Sequence, residues 1–358
     1  MWQYPLVPLV ISLNGGFNMK AWEIVEDGGP TGLSLRSRVE PQPGHGEVLV
    51  EVSASSLNYR DLLTVEDPVS RNISLPMSPN SDCAGKVIGI GSGVTDIKVG
   101  DRVMGCFFQD WIDGAITPEA METALGGAIP GVLAEQVVLN ANGVVPVPDY
   151  LSDVEAATLP CAALTAWHAL TREQPVTAGE TILLLGTGGV SVFAQQFCSA
   201  MGATTIVTSS EDEKLVRISA LGAGQTINYN SVPNWAQAVL DMTGGRGVDR
   251  VIEVGGPGTL QKSISCTRVG GAVQLIGILT GDSGKVVPTD IMRKSLKVHG
   301  IYVGSKAMFL EMNTFLTNQK LHPVVDEVFD FGQAQNAFHC MRGAKHFGKL
   351  VIRVRSTS

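Results

Sequence analysis

The sequence predicts an α/β protein of two units, a small β-barrel and a doubly wound parallel sheet. Its 358 residues are too many for one ordinary single-core domain. The first third contains many short strands between glycine-rich turns, which indicates a small barrel. From Thr181 onward strands alternate with helices, as in a parallel sheet covered on both faces. With 44% hydrophobic and 17% charged residues, the chain has ample material for both cores.

Composition excludes several function classes. The net charge of −8 gives no general attraction to nucleic acid or to anionic lipid, so we expect neither partner. The six cysteines are scattered without a CxxC pair, which favours a reducing, cytoplasmic location. No apolar run reaches the roughly 18 residues that span a bilayer, so no membrane association is expected. Residues 1–18 lack the basic region of a signal peptide and are predicted to be a disordered extension or an upstream start.

The elements of the barrel come first along the chain. The alternating segment 47–52 is typical of a half-buried strand. Further short strands are predicted at 86–91, 100–103 and 135–139. The character changes near Leu151, where Ser152 and Glu155 form a capping box that predicts a helix start.

The elements of the parallel sheet follow. Strands are predicted at 181–185, 204–208, 226–229, 248–254, 272–279 and 296–303, and helices at 190–201, 211–221, 235–242 and 259–266. After Ser305 we expect a helix, a strand near 323–331, a helix and a terminal strand at 349–354, which return to the first unit. The predicted domains are therefore residues 19–154 with 305–358, and residues 155–304.

A glycine-rich turn lies between the first strand of this sheet and the next helix. It reads Gly186-Thr187-Gly188-Gly189-Val190-Ser191, with Ser191 at the third glycine position. In this strand–turn–helix context the pattern predicts a dinucleotide site. Glycines let the backbone approach a pyrophosphate, and the helix N-terminus favours its charge. The predicted cofactor contacts are Gly186, Gly188, Gly189 and Val190. The alternative is a tight turn without ligand.

The end of the second strand indicates which dinucleotide binds. An acid usually grips the adenosine ribose there, but this chain has Ser209 and Ser210, with Lys214 one helical turn further. Hydroxyls and an ammonium suit a 2′-phosphate, so NADP (NADPH) is predicted over NAD. Two alternatives stay open: residues 210–213 form a capping box, and Lys214 is a solvated surface residue near three acids.

Several segments together resemble a known superfamily. They are GHGEVLV (44–50), SLNYRD (56–61), KVGDRV (98–103), LPCAALTAW (159–167), the glycine turn, TGGRGVD (243–249) and HFGK (346–349). The chain from Met19 onward resembles the medium-chain dehydrogenase/reductase superfamily, especially its zinc-independent quinone oxidoreductases and zinc-type alcohol-dehydrogenase-like proteins. The resemblance implies a chaperonin-10-like (GroES-like) barrel and a Rossmann domain with NAD(P) in the cleft. It also implies that Lys214 and Tyr229 hold the 2′-phosphate.

The same resemblance bears on zinc. Zinc-dependent members have a Cys where this chain has Asn58, and a Gly-His-Glu where it reads Asn80-Ser81-Asp82. The third ligand position is Cys161, which is present. Because a catalytic zinc site needs three protein ligands, the ligand count predicts no zinc. The four closely spaced cysteines of the family's structural zinc lobe are also missing.

Without a Lewis acid, an activated acceptor is the expected substrate. A quinone or an α,β-unsaturated carbonyl accepts hydride at carbon and spreads the negative charge. Tyr59 is the candidate proton donor or oxyanion partner, with Asn58 as a second amide donor and Asp61 as an orienting residue. The alternative interpretation is that Tyr59 is an amphipathic residue at the rim of the cleft.

Further cofactor contacts are expected at the carboxyl ends of the sheet strands. Gly255, Gly277 and Leu279 follow two such strands, and Thr165 precedes a helix that faces the same cleft. The long segment 107–131 carries Phe107, Phe108 and Trp111. It is interpreted either as an aromatic lid or as barrel core packing.

Three readings of function remain open from the sequence. The first is an NADPH-dependent, metal-free reductase of a quinone or α,β-unsaturated carbonyl. The second is an alcohol dehydrogenase or aldehyde reductase, and the third is a non-catalytic NADPH-binding sensor. A small-molecule carbonyl or quinone is the expected partner. Because relatives pair through the last strands of this sheet, a homodimer is also expected.

Overall fold

A computed structural model describes residues 18–281 and 283–355 of the chain. The extension predicted for residues 1–18 falls outside this part, except for Asn18, which begins the first strand. The strands are β1 (Asn18–Ile24), β2 (Leu33–Val39), β3 (Glu47–Ser56), β4 (Asp82–Ile90), β5 (Arg102–Gly105), β6 (Gln136–Asn140), β7 (Val144–Pro146), β8 (Thr181–Leu185), β9 (Thr204–Ser209), β10 (Gln225–Asn228), β11 (Val248–Glu253), β12 (Thr267–Leu275), β13 (Lys297–Gly300), β14 (Val325–Asp330) and β15 (Lys349–Arg353).

Helices cover the sheets and join their strands. They are α1 (Tyr59–Glu66), α2 (Pro118–Met121), α3 (Asp153–Ala156), α4 (Leu164–Thr171), α5 (Gly189–Ala200), α6 (Asp212–Ala220), α7 (Trp235–Met242), α8 (Pro257–Cys266), α9 (Pro288–Arg293), α10 (Lys306–Gln319) and α11 (Ala334–Arg342). None of them, within the residues that the structure describes, is long and apolar enough to cross a membrane.

The six-stranded sheet is wholly parallel, in the order β10-β9-β8-β11-β12-β13. Its two faces are apolar, as a sheet covered on both sides requires. Leu184 and Ile252 face one core and Leu183 and Val251 face another, all without exposed surface. The α/β architecture with a doubly wound parallel sheet is confirmed.

The seven-stranded sheet follows the order β14-β15-β3-β4-β5-β7, with β6 also paired to β3. Strand β3 lies in the middle of this sheet, and its residues Val48, Val50 and Val52 are fully buried. The terminal strand β15 runs antiparallel to the end of β3, at Val351–Ser56. This pairing brings residues from opposite ends of the chain beside the start of α1.

The helix start predicted at Ser152 is confirmed, and the helix there is short. The Ser152–Glu155 capping box forms, with the Glu155 amide donating to Ser152 Oγ at 3.3 Å, but α3 lasts only one turn. A π-helical turn, Leu159–Ala163, then precedes α4. Pro160 has no amide hydrogen to continue the helical ladder. The irregular turn matters because it carries Cys161.

The aromatic segment 107–131 packs as core. Phe107, Phe108 and Trp111 are only 1%, 1% and 5% exposed. The carbonyl of Trp111 accepts the backbone N–H of Lys306 at 2.9 Å, at the first turn of α10. The structure therefore favours core packing over the aromatic lid.

Candidate active site

The glycine-rich turn connects β8 to α5. Gly186 has φ +72°, a conformation that L side chains rarely adopt. A β-carbon at Gly186 or Gly188 would meet no other described atom within 4 Å, so the backbone here is open to a ligand. Ser191 is buried and donates to the Leu185 carbonyl at 2.7 Å, which holds helix and strand together. An open turn at a helix N-terminus suits the pyrophosphate of a dinucleotide.

The third glycine of the turn, Gly189, is crowded instead of open. A β-carbon at Gly189 would lie 2.7 Å from Lys349 Cδ and 3.1 Å from Ala162 Cβ. The backbone of Gly188 also bridges to Gly348, whose amide donates to the Thr187 carbonyl at 3.0 Å. The glycine turn is therefore attached to the start of β15.

The candidate 2′-phosphate residues lie at the carboxyl ends of β9 and β10. Ser209 is 2% exposed, and its carbonyl accepts the amide of Tyr229, which is 39% exposed. Lys214 is buried; its ammonium donates to the Ala344 carbonyl at 2.9 Å and lies 3.4 Å from Glu211. It is therefore not the solvated lysine of the alternative interpretation.

The alternative capping box at Ser210 is also not formed. Helix α6 begins at Asp212 with Glu211 as its N-cap residue, and no side chain caps it. Ser210 is partly exposed, and its carbonyl accepts from Asn230 Nδ2 at 3.0 Å. Its hydroxyl is thus not committed to the helix.

The turn after β11 is built by a residue that the sequence analysis missed. Glu253 is fully buried and accepts the amides of Gly255 and Gly256 at 2.8 and 3.0 Å and the Thr259 hydroxyl at 2.6 Å. Gly277 passes close by, because a β-carbon there would lie 2.2 Å from the Val254 carbonyl oxygen. A strand that ends in Glu followed by two glycines is the signal that could have identified it.

The other two predicted cofactor residues differ in exposure. Leu279 is 50% exposed, and its amide donates to the Val254 carbonyl at 3.4 Å. Thr165 is 3% exposed and lies in the first turn of α4. Both remain predicted contacts.

The predicted catalytic segment opens α1. Tyr59 is the first residue of the helix and is 37% exposed. Asp61 is fully buried and accepts the backbone N–H of Asn58 at 2.8 Å, so it caps the helix as an orienting residue would. Arg60 lies 3.3 Å from Asp61, donates to the Leu125 carbonyl at 2.5 Å and covers the Phe107 ring.

Both polar atoms of the Asn58 side chain form hydrogen bonds. Its Oδ1 accepts from the Lys349 ammonium at 2.6 Å, and its Nδ2 donates to Ser81 Oγ at 3.4 Å. Ser81 in turn donates to Asp82 at 2.7 Å, and Asp82 accepts the backbone N–H of Cys161 at 3.2 Å. The four positions matched to the zinc site therefore do converge, together with a lysine.

The donor set of this cluster does not fit catalytic zinc. Asn58 has a neutral amide and Ser81 a neutral hydroxyl. The Asp82 carboxylate already accepts hydrogen bonds from Ser81 and from the Cys161 backbone. Cys161 supplies the only thiol, whereas catalytic zinc takes three protein ligands. Among residues 18–281 and 283–355, no three His, Cys, Asp or Glu side chains form a metal-binding group. The expected lack of zinc stays a prediction.

His346 belongs to the HFGK segment, but the sequence analysis assigned no role to its side chain. Its Nδ1 is buried and has no partner among the described residues. Burial and the nearby Lys349 and Lys214 ammoniums lower its pKa to about 4, so the ring is neutral near pH 7. Its place two residues before Gly348 puts a hydrogen-bonding group beside the glycine turn.

Two family models match the chain. Residues 44–149 match the alcohol dehydrogenase GroES-like domain, and residues 189–318 match the zinc-binding dehydrogenase model. Among curated relatives, a zinc-type alcohol dehydrogenase-like protein of Schizosaccharomyces pombe is 42% identical over 86% of this chain and 91% of its own length. A quinone oxidoreductase of Rattus norvegicus is 29% identical, over 93% and 97% respectively.

Solved structures also match most of this chain. A Sinorhizobium meliloti protein described as an alcohol dehydrogenase has a TM-score of 0.87 and 36% identity, covering 94% of this chain and 99% of its own. A mycobacterial protein in complex with NADPH has a TM-score of 0.80 and 26% identity, covering 94% and 100%. The predicted GroES-like barrel beside a Rossmann-type sheet is confirmed.

The buried carboxyl of Asp61 predicts a pH-dependent stability. Burial raises its pKa from 3.8 to about 6, with Asp82 adding to the shift and Arg60 and Lys349 opposing it. Between these pH values the folded state binds more protons than the unfolded chain, so this contribution to stability is lost as the pH rises through about 6.

An Asp61→Asn variant should remove that loss. The difference in unfolding free energy between variant and wild type should move in the variant's favour by up to about 3 kcal/mol between pH 4 and pH 8. Urea unfolding at both pH values measures it. A difference of the same size at both pH values would contradict the raised pKa of Asp61. An altered helix cap adds the same offset at both pH values and therefore leaves the expected change between them intact.

Proposed function

Because the chain belongs to the medium-chain dehydrogenase/reductase superfamily of oxidoreductases, we propose that it reduces a quinone or an α,β-unsaturated carbonyl with NADPH and without a metal. The observation that carries this proposal is the donor set around Asn58. The Asn58 amide accepts from a lysine ammonium and donates to the Ser81 hydroxyl, which donates to Asp82, and the Asp82 carboxylate accepts the backbone N–H of Cys161, the residue with the one thiol of this cluster. Such a set supports a site that relies on hydrogen-bond donors and on an activated substrate.

The cofactor assignment is supported by the turn and by one relative. The open backbone at Gly186 and Gly188 leaves room for a pyrophosphate, and a mycobacterial structural relative is in complex with NADPH. When bound, NADPH supplies a hydride to the acceptor carbon and becomes NADP⁺, and a proton from the protein side completes the product. Ser209, Ser210, Lys214 and Tyr229 are the residues proposed for the 2′-phosphate.

The substrate class follows from charge stabilisation. Hydride addition to a simple ketone concentrates negative charge on one oxygen, where a metal gives several kcal/mol of help. A quinone or a conjugated enone delocalises that charge, so hydrogen-bond donors suffice. The rat quinone oxidoreductase among the relatives supports this class.

Tyr59 is the proposed proton donor. Its partly exposed position at the start of α1 leaves the phenol accessible, unlike the buried Asn58 and Asp61 on either side. Asn58 is held by Lys349 and Ser81, and Asp61 caps the helix. We therefore assign these two residues a positioning role around Tyr59.

A second candidate function is an alcohol dehydrogenase or aldehyde reductase. The fission yeast relative, at 42% identity, has an alcohol-dehydrogenase-like name. A substrate panel separates the two: quinones and enones against simple aldehydes, each with NADPH and NADH after chelator treatment. Turnover of aldehydes alone would replace the proposed function by this one, and tight NADPH binding without turnover would favour a sensor.

We also propose a homodimer with a cytoplasmic location. Strand β13 is the last strand of the parallel sheet and pairs only with β12 among the described residues. A second copy would cover this open edge, which is otherwise prone to association. Light scattering should give twice the monomer mass at micromolar concentration, and a monomer would contradict the dimer; cell fractionation tests the location.

Replacing Tyr59 by Phe tests the proposed donor. The variant keeps the ring and removes the hydroxyl, so kcat/KM for quinones or enones should fall about 100-fold, as for the loss of a general acid. Affinity for NADPH, measured by fluorescence titration, should stay within about two-fold, since the proposal gives Tyr59 a role in proton transfer and none in cofactor binding. Unchanged turnover would make Tyr59 a rim residue.

Replacing Lys214 by Met tests the cofactor preference. The loss of one ammonium–phosphate hydrogen bond costs about 1.5–3 kcal/mol, so the Kd for NADPH should rise about 10- to 100-fold. The Kd for NADH should change little. Lys262→Met is the matched control, because Lys262 lies on another helix, α8, and also donates to a backbone carbonyl, that of Pro233. Equal weakening of both cofactors would show that Lys214 supports only the fold.

A further inference from the structure

Lys349 is a buried lysine at the first position of β15. It is 3% exposed, and its ammonium donates to the Leu57 carbonyl and to Asn58 Oδ1, both at 2.6 Å. A buried charge is stable only when polar partners replace its water. The partners here come from the segment joining β3 to α1, almost 300 residues away in the chain.

From Lys349 the hydrogen bonds continue through the positions that match a zinc site. Asn58 donates to Ser81, and Ser81 donates to Asp82. Asp82 also accepts the amide of Cys161, so four separated segments meet around one positive charge. Arg60 beside Asp61 is the other cation of this region, but it points to the Leu125 carbonyl.

The position of the Lys349 side chain is set by the glycine turn. Its Cδ lies 2.7 Å from the position that a β-carbon of Gly189 would take, and Gly348 is hydrogen-bonded to Thr187. Ala162, next to Cys161, closes the other side of Gly189. The ammonium therefore has one fixed location relative to both the turn and the Asn58 cluster.

We propose that the Lys349 ammonium is the resident cation of this cluster and takes the electrostatic place of the zinc that the names of the relatives imply. It holds the Asn58 amide and balances the Asp82 carboxylate, and it repels a divalent ion from the same space. For its meaning in catalysis this inference rests on the proposed function. Its structural content does not depend on turnover.

The first test uses the wild-type chain. After incubation with zinc sulfate and gel filtration, mass spectrometry should find no stoichiometric zinc. Stoichiometric zinc that disappears in Cys161→Ser would overturn the inference directly.

The second test restores three ligands. In the double variant Asn58→Cys/Ser81→His, Cys161 completes a donor set that zinc accepts. Zinc should bind about 100-fold more weakly to this double variant than to the same variant carrying Lys349→Met, because the ammonium repels the ion. Lys349→Arg keeps the charge and should also keep zinc affinity low. A purely structural role would make Met and Arg equivalent, and equal zinc affinity in all three backgrounds would overturn the inference.

Binding of NADPH and the melting temperature report whether each variant is folded. Because the readout is zinc affinity, the result is independent of substrate turnover. If the chain reduces neither quinones nor enones but zinc affinity rises only in the Lys349→Met background, the inference about the resident cation is supported. Only the proposed function is then wrong. If the chain turns over quinones and also binds zinc at Cys161, the inference about the Lys349 cation is wrong, and the proposed substrate class is retained.

Discussion

The backbone contact between the glycine turn and the start of β15 determines the geometry of the whole site. Gly348 donates to the Thr187 carbonyl, and Gly188 bridges to Gly348. Through this contact the last strand of the seven-stranded sheet lies against the first turn of the parallel sheet. Because β15 also pairs with the end of β3, the segment that begins α1 is placed beside the turn. A cofactor loop and a candidate proton donor from distant parts of the chain are thereby brought into one region.

Charge balance is the second constraint on this region. Asp61 and Asp82 are fully buried, and burial raises the pKa of both carboxyls. Burial also lowers the pKa of Lys349, while the nearby Asp82 opposes that shift. Each buried charge would be costly alone, so the acids and the lysine depend on one another. Removing Lys349 would leave the Asp82 carboxylate without its nearby positive charge in the interior.

The local parts of this arrangement could be predicted from the sequence, and the long-range parts could not. The predicted bounds of strand β8 agree with the observed ones. A five-residue apolar run between turn signals is long enough for a strand and too short for a typical helix. The helix start after Ser152 is confirmed, but its one-turn length was not predictable, because a capping box indicates where a helix starts and not how far it continues. The contacts of Lys349 join residues almost 300 positions apart, so no local pattern contains them. The bond from Lys349 to Asn58 Oδ1 was missed for the same reason, because the two residues are distant in the sequence.

The source of positive charge has a consequence for the chemistry. A bound metal brings two charges and can contact a substrate oxygen directly, whereas a buried ammonium held by Leu57 and Asn58 contributes one charge at a fixed distance. An oxygen that develops full negative charge would be poorly stabilised by such a charge alone. A substrate that spreads its charge over a ring or a conjugated system needs less. The proposed resident cation and the proposed activated acceptor are therefore consistent with each other, because a substrate that delocalises its charge needs only the weaker stabilisation that one buried charge gives.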